Sequence, residues 1–163
     1  MTIATDGAAT MRKINGEYVR ENGGWAFAEI GEGNSILFSS SGQKLNTTNN
    51  ECELTAIKEA ILYFEKSEEN ELTIFSDSAY SINCLSQWAA NWEKNGWTRG
   101  KKREPIENLE IIKSTFEKIR ELEQNSRIIN FVKIKGHAGN FANEYVDKLA
   151  VAAKEGKSND NIS

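Results

Sequence analysis

The chain reads as one mixed-sheet α/β domain, on three observations. Strand-like segments come first and then alternate with helical ones, the element order of an α/β fold. The apolar pattern switches from short runs to three- and four-residue spacing as the chain proceeds. The length, 163 residues, suits a single hydrophobic core.

Thr2-Ile3-Ala4-Thr5 alternates weakly and reads as a short strand delivering Asp6 to a turn at Gly7. Residues 8–23 are polar and turn-rich, with Asn15-Gly16 and Asn22-Gly23 predicting tight reversals. Segments 25–30 and 36–39 are two strands of a hairpin around Gly31-Glu32-Gly33-Asn34. Leu54, Ile57, Ile61 and Phe64 then form the stripe of an amphipathic helix, with Glu51 and Glu53 near its positive end. Leu72 to Phe75 is a buried strand ending at Ser76-Asp77-Ser78. A second helical stretch runs through Ile82, Leu85 and Trp88 to about Trp92. A long helix is expected from Pro105, since proline suits a first helical turn, with Leu109, Ile112, Phe116 and Ile119 on one face. Residues 128–135 read as a strand and Asn140 as the cap of a last helix carrying Ala142, Tyr145, Val146, Leu149 and Ala153. Residues 1–155 are thus expected to be one domain, and 156–163 a disordered polar tail.

Composition excludes several classes. Hydrophobic residues make up 39% of the chain, too many for a disordered protein. No apolar run approaches the ~18–20 residues of a membrane span, and Met1 opens no signal-peptide pattern, so a soluble cytoplasmic protein is expected. With one histidine and two distant cysteines, a Cys/His zinc site is ruled out, and Cys52 and Cys84 read as buried free thiols. The net charge of −4 counts at first against a nucleic-acid partner.

Three carboxylates stand where α/β folds place their chemistry, Asp6 and Asp77 at strand ends and Glu53 at a helix start, and a fourth, Asp147, lies in the last helix beside the apolar stripe. Taken singly, an aspartate before Gly or Ser is a turn residue and an acidic first turn is a cap. If the four converge, their repulsion is relieved by divalent cations, and an all-oxygen donor set favours Mg²⁺ or Mn²⁺ over zinc.

Thr5-Asp6-Gly7, the run Thr47-Thr48-Asn49-Asn50-Glu51-Cys52-Glu53-Leu54, Phe75-Ser76-Asp77-Ser78 and Lys135-Gly136-His137-Ala138-Gly139, followed by Asn143-Glu144 and Asp147, resemble type 1 ribonuclease H in order and spacing. The resemblance spans residues 5–153. It implies a ribonuclease H-like five-stranded sheet, the first three strands antiparallel, with helices on both faces. It implies endonucleolytic hydrolysis of the RNA strand of RNA–DNA hybrids, leaving 5′-phosphate and 3′-hydroxyl ends. Asp6, Glu53, Asp77 and Asp147 would hold two Mg²⁺ ions (Mn²⁺ as substitute), and His137 would assist proton movement or product release. Gly7, Ala8, Thr48, Asn49, Asn50 and Asn143 would face the hybrid, Thr48 near a DNA phosphate. Alternatives are a DNA-directed nuclease of the same superfamily or a hybrid-binding module without catalysis. A monomer is the default.

Residues 94–103 carry five basic side chains and no acidic one. Trp88 and Trp92 precede them one helical turn apart and read either as core or as an aromatic ridge. The segment resembles the basic protrusion of bacterial type 1 enzymes. In that reading Trp88, Trp92, Lys94, Lys101, Lys102 and Arg103 contact the substrate backbone. Removing the +5 of this run from −4 leaves −9 on the rest, so the charge is segregated rather than absent. Two departures stand out: the 8–23 segment is longer than usual, with Asn15 and Asn22 as candidate contacts, and Asn140-Phe141-Ala142 lacks the proline common there.

Overall fold

A computed structural model describes residues 1–136 and 140–156. Strand β1 (Thr2–Ala9) lies at the centre of a five-stranded sheet ordered β5-β4-β1-β6-β7. β4 (Glu21–Ile30) and β5 (Ile36–Thr47) run antiparallel beside it. β6 (Glu71–Ser76) and β7 (Ile128–Lys133) run parallel on its other side. The mixed sheet with three antiparallel strands first is the one expected.

Strand alternation divides the core in two. Ile3 and Phe27 point into the larger cluster, with Leu54, Ile57, Ile61 and Phe64 of α1 (Asn49–Glu65) and Ile112, Phe116 and Ile119 of α4 (Leu109–Gln124). Ala4, Ala26 and Ala28 point the other way, against Val146, Leu149 and Ala150 of α5 (Phe141–Lys154). Alanine on that side lets α5 lie close. A Cβ on Gly24 would come within 2.1 Å of the Ala150 carbonyl, so only glycine fits there. Between β6 and α4 stand α2 (Ala79–Asn83) and α3 (Ala89–Lys94), joined by a π-helical turn, Cys84–Trp88. Both cysteines are buried free thiols, as expected.

Three local expectations are corrected. Residues 8–23 are not a plain polar loop: β1 continues to Ala9, and β2 (Arg12–Ile14) pairs with β3 (Glu17–Val19) in a separate hairpin. Its turn is Asn15-Gly16, both at positive φ (53° and 85°), the mirror-image turn that suits strand twist. Asn22-Gly23, by contrast, lies inside β4 at a register shift against β5, so the dipeptide marks a β-bulge and not a reversal. The long helix begins at Leu109, not at Pro105, because Asn108 takes a left-handed conformation (φ 60°) that interrupts the helix while Ile106 is buried ahead of it.

Asn140 caps α5 as expected, its Oδ1 accepting from Asn143 N at 3.0 Å. The C-terminal end of α1 is closed from a distance. The Arg127 guanidinium donates to the carbonyls of Phe64 (2.8 Å), Ser67 (3.0 Å) and Glu69 (2.9 Å) and lies over the Phe64 ring. Among the described residues no helix is long and apolar enough to cross a membrane. The tail expected to be disordered falls, beyond Gly156, outside the described residues.

Candidate active site

The parallel pairing of β1 with β6 builds the site. Thr2 faces Thr73, Ile3 faces Ile74 and Ala4 faces Phe75. Carried two positions further, that register sets Asp6 level with Asp77, just past the end of β6. Asp6 does not end its strand, as its place before Gly7 suggests. It sits within β1, opposite Ala26, in a part of the strand that β6 no longer covers.

Glu53 comes from the first turns of α1. Thr48 is the N-cap, its hydroxyl accepting from Glu51 N at 3.2 Å in a Thr-x-x-Glu arrangement that sets where the helix starts. Gly7 sets how close the helix comes, since a Cβ there would lie 2.5 Å from Glu53 N and 2.6 Å from Cys52 C. Its backbone N–H serves both the Asp6 and the Glu53 carboxylates. Gly7 and Ala8 were expected to face substrate. Both are half-buried, and Gly7 has this packing role in addition.

One carboxylate oxygen from each of Asp6, Glu53 and Asp77 lies within 4.8 Å of the others. Asp6 is 4% exposed and Glu53 8%. Burial, reinforced by the charges of Asp77 and Asp147, raises the Asp6 pKa from 3.8 to about 7, against the lowering effect of its Glu53 and Gly7 hydrogen bonds. Glu53 is pushed well above its usual range, first by burial and then by the Asp6 charge. Asp147, half-buried on α5, faces the trio closely enough to act on Asp6 but stands outside the tight cluster. Among the described residues Glu53 Oε2 is buried with no hydrogen-bond partner. Three crowded oxygen donors, two of them buried and one of those with an unsatisfied oxygen, fit a hard divalent cation. His137 lies outside the described residues.

Around this cluster the expected substrate residues separate. Asn50 is exposed, while Asn49 lies beside it with its Oδ1 accepting from Ala9 N at 2.6 Å, which ties the start of α1 to the end of β1. Asn143 is 0% exposed, so it does not present its amide at the surface as expected. Both its amide atoms are buried without a hydrogen-bond partner among the described residues.

The Trp88 and Trp92 ring centroids are 6.0 Å apart, and with Arg99 they line a recess of about 310 Å³. Trp88 is 39% exposed, while Trp92 is half-buried and packs against the larger core cluster, so the pair is a ridge rooted in the core. Trp97 turns the other way, edge-on to Phe116 at 6.0 Å. Lys94, at the end of α3, and Lys101, Lys102 and Arg103 are all exposed, the last three on a turn that Arg99 and Glu104 close with paired 2.8 Å backbone hydrogen bonds. Missed in the sequence was a groove of about 620 Å³ to which the hairpin contributes Met11, Tyr18 and Arg20 and the start of α1 Thr48, Asn49 and Asn50. Glu107 and Asn108 also border it. The only available signal was the unusual length of segment 8–23.

The chain is similar to known proteins in sequence and in fold. The family model described as RNase H matches residues 1–155. The chain is 35% identical over 129 residues to a ribonuclease H of Thermoanaerobacter sp. (strain X514), covering 78% of this chain and 77% of that one. It is 40% identical over 111 residues to a ribonuclease H of Clostridium botulinum (strain Hall), covering 68% and 69%. A foamy viral protease–reverse transcriptase, solved in complex with RNA/DNA hybrid, superposes with a TM-score of 0.75 at 19% identity, over 94% of this chain and 20% of that one. The chain therefore belongs to the RNase H family.

Proposed function

We propose that the chain is a monomeric endonuclease that cuts the RNA strand of RNA–DNA hybrids with two divalent cations, leaving 5′-phosphate and 3′-hydroxyl ends. The observation that carries this reading is the close trio Asp6, Glu53 and Asp77, the first two buried and the third half-buried, with Asp147 near enough to act on Asp6. The hybrid bound in the foamy viral structure supports the substrate. Two cations held there would activate a water and meet the charge on the leaving 3′ oxygen. Asp6 and Glu53 lie on rigid elements fixed by Gly7, so the donors are in place before substrate arrives. His137 is assigned proton movement or product release. Thr48, Asn49 and Asn50, at the start of the helix that carries Glu53, line the neighbouring groove, where amides that donate and accept can read the 2′-hydroxyls of the shallow minor groove.

The test is a Mg²⁺ titration with end-labelled hybrid, double-stranded RNA and double-stranded DNA. Cleavage confined to the RNA of the hybrid is expected, and cutting of double-stranded DNA would replace this reading with a DNA-directed one. Asp77→Asn should abolish hydrolysis while its circular dichroism and melting stay those of the wild type. Retained activity in that variant removes Asp77 from the site.

A further inference from the structure

The β2–β3 hairpin has no buried residue, and an isolated two-stranded hairpin is marginal in water. It is nevertheless anchored at both ends. Arg12 pairs with Glu21 at 2.7 Å. Arg20 donates to the Asn46 carbonyl at 2.8 Å and pairs at 2.9 Å with Glu51, the residue hydrogen-bonded to Thr48 in the cap of α1. The hairpin is therefore tied to the same helix start that carries Asn49, Asn50 and Glu53.

What it presents is an aromatic side chain and a cation. Tyr18 is 62% exposed and lines the groove shared with Thr48, Asn49 and Asn50. Lys13 Nζ lies 4.8 Å over one face of its ring. Residues 10–20 carry Arg12, Lys13 and Arg20 against Glu17 alone, a net +2 in a chain of −4. Arg12 and Arg20 are held in the anchors, while the Lys13 ammonium rests on the Tyr18 ring.

Resting on the hybrid reading above, we propose that this hairpin grips the substrate. The Tyr18 ring packs against a sugar of the strand lying along Thr48, Asn49 and Asn50, and the Lys13 ammonium meets an adjacent phosphate. Aromatic contact to a nucleic acid is tolerant of sequence, and a lysine–phosphate contact is salt-dependent, so together they position substrate without choosing a base.

The experiment compares wild type, Tyr18→Ala, Tyr18→Phe and Lys13→Ala in hydrolysis of a labelled hybrid across a salt series. Fluorescence anisotropy of the same hybrid without divalent cation, and sedimentation, run alongside. Tyr18→Ala should raise KM about fivefold or more, with kcat falling by less than KM rises, and Tyr18→Phe should restore most of it. Lys13→Ala should reduce the slope of log(kcat/KM) against log salt by about one. A wild type that cleaves hybrid while both alanine variants keep its KM and salt slope overturns the hairpin's role and leaves the hybrid reading intact. A wild type that neither binds nor cleaves hybrid overturns both. A wild-type dimer made monomeric by Tyr18→Ala, with hybrid affinity unchanged, would assign the face to a second copy instead.

Discussion

Gly7 shows how one residue sets the distance between two carboxylates of the candidate site. Its missing Cβ is the space that the backbone of α1 at Cys52 and Glu53 occupies. Gly7→Ala would insert a methyl against main-chain atoms that cannot rotate away, so α1 must shift as a body. Overpacking of this kind costs about 1–3 kcal/mol, and a displacement near 1 Å at a catalytic carboxylate can cost on the order of a hundredfold in rate. Denaturant titration should show the stability loss, and kcat on the hybrid should fall far more than the unfolded fraction explains. The motif Thr5-Asp6-Gly7 drew attention to Asp6 in the sequence, but the purpose of the glycine lay in a helix more than forty positions away. Asn143 is the converse case: its motif position suggested an exposed amide, and only its packing within α5 showed that it is buried.

At the level of elements, what could be read from the chain depended on whether the signal was local. The stripes of α1, α4 and α5 follow from apolar spacing alone, and the Asn140 cap from a side chain three residues from its partner. The β2–β3 hairpin was half legible, since Asn15-Gly16 specifies a turn but no alternation of apolar residues marks strands that bury nothing. Pro105 misled because proline permits a helix start without requiring one, and Asn108 decided the matter through its own backbone. The basic turn after α3 was legible as charge, and the structure adds that Trp88 and Trp92 form a half-open recess with Arg99 beside it. Replacing Lys101, Lys102 and Arg103 by glutamine should raise KM severalfold and flatten its salt dependence by roughly one unit of slope for each phosphate these side chains neutralise. Kinetics at three or more ionic strengths would show it, and an unchanged slope would mean that the turn stays in solvent.

For the molecule as a whole, the site is a concentration of like charge that the fold must tolerate when no cation is bound. Asp6 holds its proton up to about pH 7 in the folded chain, against 3.8 ordinarily. A raised carboxylate pKa contributes stability that is full below the ordinary value and is lost as pH rises through the folded value. In EDTA, wild-type melting temperature should therefore fall relative to Asp6→Asn as pH goes from about 4 to above 7. Mg²⁺ should reverse the trend, because its ligands must be deprotonated. Melting curves at pH 5, 6, 7 and 8, with and without Mg²⁺, provide the check. The order of the central strands has a further consequence, in time rather than in space. Asp6 lies near the start of the chain, Asp77 reaches it only through pairing of β1 with β6, and Asp147 arrives on α5, which covers the opposite face of the sheet. At translation speeds of about 5–20 residues per second, on the order of ten seconds separate synthesis of the first carboxylate from that of the last. A ribosome-bound chain that has not yet made α5 lacks Asp147, one of the four carboxylates proposed to hold the cations, so the proposed site is completed only when the last helix docks.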